Sequence, residues 1–375
     1  MTDKMKVYTK VLKTMKQMLP TMPENRVVVL AMLVAGIVTG RKAQLSEISL
    51  NIPHTAKPES LVKRFHRFVK NDHIEPETVY MPFVDLILEA LSDAPLLIAI
   101  DGSIVGRGCL VLMVGVIYKQ RLLPLSWTVY QRKKGHLPAE EHIKLLKRLK
   151  KMIPGDTEVV LLGDAEFDSY DLLDWLSTEA NWSFVCRTDP RLYMTHAGQQ
   201  YQIRELLAGE DTVTAVTNAA FTQNELPNVT VIAWWGKGYK KPIYLVSNRE
   251  NFIECITFYK QRFKIETMFS DQKSRGFHIH KSHLAIPKRI SRLLIAAALA
   301  YIWMVYLGVM VAHDTVAKHQ IDRTHRTDKS LFRLGLDWLK YALTRGLNFD
   351  VIFKPPVLAI GIRQKTCLEH ASSVR

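Results

Sequence analysis

Four polar side chains late in the chain stand at a spacing suited to handling phosphate. Tyr259, Arg262, Glu266 and Lys273 follow one another with two, three and six residues between them. On a single α-helix, at about 100° per residue, they fall at about 0°, 300°, 340° and 320°, a stripe roughly 60° wide. A carboxylate flanked by two cations and a phenol is a poor pattern for burial; its plain alternative is a solvated face of i, i+4 ion pairs. Two aspartates lie upstream. Asp101 closes the apolar run Leu96–Ile100, and Asp164 closes Val159–Gly163. Either one alone reads as a turn or cap residue, Asp101-Gly102 especially. Two together, at the carboxyl ends of strands where open α/β sheets collect functional groups, are harder to dismiss. Asp168 competes with Asp164, but its place just before a helix at Ser169 suggests a cap. Three carboxylates from distant segments can hold two divalent cations about 4 Å apart, activating an attacking oxygen and stabilising a leaving 3′ oxygen of a phosphodiester. Hard oxygen donors of this kind suit Mg²⁺ or Mn²⁺ rather than zinc.

The elements that must position these groups change in character along the chain. Residues up to about 90 follow a helical pattern, with helices expected at 4–18, 24–38, 43–50, 59–70 and 76–91, punctuated by Pro20, Pro23, Gly40, Pro53 and Pro58. From residue 95 the period shortens. Leu96–Asp101, Cys109–Tyr118 and Arg121–Tyr130 read as a three-stranded meander. A helix Ala139–Met152, a buried strand Glu158–Asp164, a helix Ser169–Ser177 and a strand Trp182–Arg187 follow. The order β-β-β-α-β-α-β is that of the ribonuclease H-like fold, an α/β sandwich on a mixed five-stranded sheet. Strand-like stretches Tyr201–Leu206, Thr212–Val216, Val229–Trp235 and Ile243–Val246 then suggest a β-rich insertion, before helical pattern resumes at 251–274 and 287–312. The expected organisation is a helical DNA-binding region over 1–92, a core over 93–188 and 251–315 interrupted by the insertion at 189–250, and a helical C-terminal region over 316–375.

Charge points to a polyanionic partner. The 51 Lys and Arg against 36 Asp and Glu leave +15 and a pI near 9.5, which favours nucleic acid or an anionic membrane. Residues 1–70 carry 13 of the basic and 4 of the acidic side chains, so +9 of the surplus sits there. Within it Lys63, Arg67 and Lys70 fall at i, i+4, i+7, with Leu61, Phe65 and Phe68 on the other side of the same helix. A solvated face is the bland reading; the regional charge and the short helix–turn–helix spacing from Ala43 to Lys70 favour DNA binding. At 47% hydrophobic and 23% charged residues the chain is not mainly disordered.

Several other features bear on class. Cys109, Cys186, Cys255 and Cys367 are scattered without a CxxC pair, which argues against a disulfide framework or zinc ribbon and fits a reducing cytoplasm. Val27–Val38 is too short to span a bilayer and lacks a cleavage site. Leu293–Ala312 holds no charge over twenty residues and is a membrane candidate by hydropathy; a helix buried in a large core is the expectation. His278, His280 and His283 have metal-like side chains but no nearby Cys or acid to complete a tetrahedron, so a DNA-facing loop is expected. Arg132–His136 is a basic loop, and no Walker or GxGxxG sequence is present.

Together, Tyr259, Arg262, Glu266 and Lys273 reproduce the Y-x2-R-x3-E-x6-K signature, and on it the chain resembles bacterial insertion-sequence transposases of the insertion sequence four family. The resemblance covers roughly residues 95–300. It implies a DDE triad of Asp101, Asp164 and Glu266, two Mg²⁺ or Mn²⁺ ions, and strand cleavage and transfer at transposon ends. It also implies phosphate contacts from Tyr259, Arg262 and Lys273, and a DNA hairpin intermediate with a flipped base stacked on an insertion aromatic, for which Trp234, Trp235 and Tyr244 are candidates. A homodimer on double-stranded DNA, working in the cytoplasm without a membrane, is implied too, with the leucine-rich segment Lys329–Leu347 as one possible dimer element. A ribonuclease H-like nuclease or resolvase without strand transfer, or a DNA-binding protein with a vestigial triad, would share parts of the pattern.

Overall fold

The structure, a computed structural model, describes residues 2–92, 94–133, 135–206, 209–322 and 328–356. Five helices open the chain: α1 (Asp3–Met18), α2 (Glu24–Gly40), α3 (Leu45–Leu50), α4 (Pro58–Lys70) and α5 (Pro76–Glu89). Helix α2 is buried over most of its length, from Val27 to Val38, and so reads as apolar on every side. Helix α4 is two-faced: Leu61, Phe65, Phe68 and Val69 are buried, while Lys63, Arg67 and Lys70 are exposed.

The meander follows as β1 (Leu96–Gly106), β2 (Cys109–Tyr118) and β3 (Arg121–Gln131), then α6 (Ala139–Lys150), β4 (Val159–Gly163), α7 (Tyr170–Trp175) and β5 (Ser183–Arg187). Strands β3, β2 and β1 are antiparallel, and β1, β4 and β5 are parallel. The order β3-β2-β1-β4-β5 is the ribonuclease H-like arrangement expected from the element order. The insertion contributes β6 (Tyr193–His196), β7 (Gln199–Gln202), β8 (Thr212–Phe221), β9 (Leu226–Trp235) and β10 (Ile243–Ser247). It does not stop the core sheet at five strands. Strand β10 pairs antiparallel with β5, through Leu245–Arg187 and Ser247–Val185, so among the described residues the strands form one mixed sheet of ten. The stretch expected as a strand at Tyr201–Leu206 is instead the end of β7 and a short 3₁₀ turn at Ile203–Glu205.

Helices return as α8 (Phe252–Tyr259), α9 (Lys264–Gln272), α10 (Pro287–His313), α11 (Thr315–Ile321) and α12 (Leu331–Thr344). The single helix expected over 251–274 is broken: Lys260–Phe263 form a turn between α8 and α9, and Lys273 sits past the end of α9. Helix α10 is long and apolar enough to cross a membrane by length and composition, yet 94% of its most apolar window is buried within the protein. Its company includes α2, α4, α5, β3 and α12.

Helix α12 lies on α10 at a crossing that admits only glycine. A Cβ on Gly335 would stand 1.9 Å from the Met304 carbonyl oxygen, and one on Gly308 1.7 Å from that of Leu331. Phe332 stacks on Tyr301 at 5.3 Å beside it. The leucines proposed for dimerisation are therefore used up inside the chain: Leu334, Leu336 and Leu339 are buried, and Leu331, Leu343 and Trp338 pack against the core. Cys109, Cys186 and Cys255 are buried free thiols; Cys367, Lys134 and the part of the C-terminal region beyond residue 356 lie outside the described residues. Gly335→Ala is expected to cost on the order of 3 kcal/mol of stability, because backbone rather than a pliable side chain must move. Chemical denaturation of the purified variant measures this, and an unchanged midpoint would show that the two helices can separate without loss.

Candidate active site

The sheet register brings the two aspartates together. Strand β1 pairs with β4 from Leu96–Val159 to Ala99–Leu162. Two residues beyond that last pair stand Asp101, still within β1, and Asp164, just past the end of β4, near enough for the Asp164 charge to act on Asp101. Asp101 is not at the end of its strand as the apolar run suggests; β1 continues to Gly106, paired with β2 alone. What ends there is β4, and Asp101 lies at the lip its departure leaves. The Asp101 carboxylate accepts a hydrogen bond from Gly102 N–H at 2.7 Å, and Asp164 accepts one from Glu166 N–H at 2.9 Å.

Glu266 arrives from the first turn of α9. Arg262, in the turn before it, donates to Glu266 Oε1 at 2.6 Å and reaches within 4.0 Å of Asp101 Oδ2. The guanidinium thus sits between the helix carboxylate and a strand carboxylate. Its side chain is 14% exposed, and among the described residues the buried Nη1 has no hydrogen-bond partner. Tyr259 is buried at the end of α8, with the Arg262 guanidinium 5.9 Å from its ring centre. Lys273 donates from Nζ to Ser103 Oγ at 2.5 Å, two residues along β1 from Asp101 and on the same side of the strand. The broken helix still brings together the four residues of the stripe, by a turn rather than by helical periodicity.

Electrostatics at the site favour added positive charge. Burial pushes the Asp101 carboxyl up to about 7; the neighbouring Asp164 and Glu266 charges push the same way, against the Gly102 N–H and Arg262. Burial also lowers Lys273, which the Asp101 charge partly restores. Three carboxylates are the right donors for hard divalent cations. Among the described residues no three His, Cys, Asp or Glu side chains close around a common point as they stand, and Arg262 already engages Glu266.

Other residues named from the sequence lie elsewhere. Lys63, Arg67 and Lys70 form a separate basic face on α4. Trp234 is 8% exposed, packs against Tyr239 at 5.1 Å and carries Lys260 Nζ 4.9 Å from its ring centre. Trp235 donates its indole N–H to the Tyr239 carbonyl at 2.7 Å, and Tyr244 is half-buried. Asp168 is not the cap of α7; Ser169 takes that position, and Asp168 is raised to about 6 by burial, which the nearby Thr188 hydroxyl and Asp189 N–H only partly offset. His278 and His280 lie 6.1 Å apart, and His283 meets Arg107 at 3.2 Å.

Three supports had no sequence signal. Ser103 holds Lys273. Glu166 accepts from Leu137 N–H at 2.8 Å and lies 3.5 Å from His136 and from buried His142, tying the basic loop to the segment after Asp164. Arg121, at the start of β3, pairs with Asp271 of α9 at 3.1 Å, both nearly fully buried. That pair fixes the Glu266 helix to the far side of the sheet.

Residues 105–303 match the transposase DDE domain, over half of the 375 residues, and the chain belongs to that family. Asp164, Tyr259, Arg262, Glu266 and Lys273 fall inside the match, and Asp101 just ahead of it. DDE transposases generally use divalent metal ions. Among solved structures the chain is similar to piggyBac transposase in a cryo-EM synaptic complex with hairpin DNA, at 12% identity, covering 96% of this chain and 82% of that one with a TM-score of 0.44. No curated protein matches the chain in sequence.

The Asp101 shift has a measurable consequence for stability. Its folded pKa of about 7 exceeds the unfolded value of about 3.9, so without divalent cation stability is lost as pH rises from about 4 through 7. Asp101→Asn removes that loss. The variant is expected to unfold several degrees higher than the parent at pH 8 in EDTA, and to gain much less at pH 5. Equal gains at both pH values would assign the effect to something other than ionisation.

Proposed function

We propose that the chain is an insertion-sequence transposase that cuts and joins DNA at transposon ends, with Asp101, Asp164 and Glu266 as its carboxylate triad. The observation that carries this reading is the meeting of Asp101 and Asp164 at one sheet register with Glu266, Arg262 and Lys273 converging on them. The triad's donors suit two Mg²⁺ or Mn²⁺ ions, which when bound supply charge to the attacking and leaving oxygens of the phosphodiester.

The chain's own residues then have distinct tasks. Arg262 holds Glu266 through Nη2 in the free protein, and once Glu266 turns to a metal ion the same guanidinium edge is free to meet a phosphate oxygen; a planar guanidinium can serve both in turn. Tyr259 orients that guanidinium from behind. Lys273, held by Ser103, supplies a second phosphate contact from β1's side of the site. In this reading the insertion supplies the aromatic surface for a base unpaired in a hairpin, from Trp234, Trp235 or Tyr244. Lys63, Arg67 and Lys70 bind duplex DNA, two copies of the chain act on paired ends, and the work is done in the cytoplasm.

The test combines purified protein, Mg²⁺ and DNA carrying the element's terminal repeats, with nicked, hairpin and joined products resolved by electrophoresis. Asp101→Asn, Asp164→Asn and Glu266→Gln are each expected to lower cleavage by at least about a thousandfold, with end binding largely kept. Near-parent cleavage by any one variant removes that residue from the triad. Nicking with no joined product at any protein concentration would leave a nuclease in place of a transposase.

A further inference from the structure

Outside the carboxylate site, a cluster of positive charge without salt bridges among the described residues lies where α4 meets the start of α10. Lys63, His66, Arg67 and Lys70 line one wall of an open cleft, and Arg289, in the first turn of α10, lines the other. Arg67 also borders an adjoining depression with Arg26, Arg64, Asn25 and Asn71. Among the described residues no salt bridge engages Lys63, Arg67, Lys70 or Arg289. The nearby carboxylate of Asp72 is already taken, by Arg292 at 2.7 Å.

Arg292 makes the two walls one body. Its guanidinium is 4% exposed and donates to the Val69 carbonyl at 3.0 Å, the Ile74 carbonyl at 2.9 Å and Asp72. The carboxyl end of α4 is thereby held on the helix that carries Arg289. The walls differ in origin: α4 lies outside the transposase DDE match and Arg289 inside it.

We propose that the α4–α10 cleft is a single binding site for the backbone of duplex DNA, with Arg289 as a phosphate contact from the catalytic half of the chain. The DNA identity rests on the transposase reading; the site itself rests on the cleft. Lys63 to Lys70 spans roughly 10 Å at 1.5 Å per residue, about three base-pair steps at 3.4 Å each. Apart from the partly exposed His66 ring the lining carries no aromatic, since Phe65 and Phe68 are buried, so the cleft lacks the Phe, Tyr or Trp platforms on which single strands stack. It has no exposed large apolar side chain to insert into a bilayer. His66 is held below the ordinary histidine value by burial and by the charges of Lys70 and Arg289, as in a field no carboxylate offsets.

The test uses the full chain, a fluorescein-labelled 30-base-pair duplex in EDTA, and anisotropy across a KCl series. Arg67→Ala and Arg289→Ala are each expected to weaken binding about five- to tenfold and to reduce the salt slope by about 0.9, one phosphate apiece. Arg289→Lys should recover most of the slope, and Lys151→Ala, on the distant α6 end, should change neither quantity. Circular dichroism confirms that each variant is folded. A folded Arg289→Ala with parent affinity and slope overturns the proposal. So does tighter binding of a single strand of equal length, or cleft-dependent binding of phosphatidylserine vesicles without cleft-dependent binding of duplex. Nicking by the parent, with Mg²⁺, of a plasmid carrying the element's terminal repeats separates the two readings. Cleft-dependent duplex binding without nicking leaves this site standing and the transposase reading fallen; nicking by a parent whose duplex binding ignores the cleft does the reverse.

Discussion

Two carboxylates held side by side on neighbouring parallel strands form the constraint around which the rest of the molecule is arranged. Burial and the like charge of Asp164 together raise the Asp101 carboxyl to about 7, so ionising both side chains there is costly. The strands that carry them more than make up for it. Ile98, Ile100, Val160, Leu161 and Leu162 are fully buried, at about 1.5–3 kcal/mol each. The apolar run that precedes each aspartate is thus what keeps its charge in an unfavourable place. Arg262 supplies the nearest counter-charge, and because it also binds Glu266 it couples the helix carboxylate to the strand pair.

That coupling depends on α9 being fixed from several directions. Arg121–Asp271 anchors its carboxyl half to β3, and Lys273–Ser103 fixes the residue just after it to β1. Helix α10 then lies across β3 and the N-terminal helices, with Arg292 reaching past its own helix to α4. A buried arginine that bonds two backbone carbonyls is a strong joint, since removing it strands buried acceptors at a cost of about 1–3 kcal/mol each. The basic face of α4 and the carboxylate site accordingly belong to one framework.

Much of this was legible from residue pattern, and the exceptions share a cause. The alternating runs of the meander and the apolar runs of β1 and β4 declare themselves locally, and so does the two-faced α4. The break between α8 and α9 does not: Lys260–Phe263 contains neither Gly nor Pro, and apolar residues continue at helical spacing through it. The periodic stripe groups residues that do lie near one another, by a geometry the chain does not adopt. The pairing of β10 with β5 was hidden because a strand's partner is a long-range property. The leucines of α12 showed an apolar face without showing what covers it, and two glycines that let it approach α10 were the only local hint. The place of Asp168 just before Ser169 says nothing of its surroundings, which are buried and set beside Thr188 and Asp189 at the end of β5.

The joining of insertion and core into one sheet also limits how the protein can go wrong. A separate insertion sheet would have added two more open edges able to recruit strands from other chains. Among the described residues the continuous sheet ends on β3 and β7. Strand β3 is sheltered by α6, α9 and α10 and interrupted by Pro124, which cannot donate to a new neighbour. Strand β7 is four residues long, Gln199–Gln202, and polar apart from Tyr201. The margin that β7 forms is thereby short and hydrophilic. The longer β8 nearby meets β6 only at Ala220 and Phe221, leaving Thr212–Val216, with alternate threonines on that stretch, as the part of the sheet where a further strand could add.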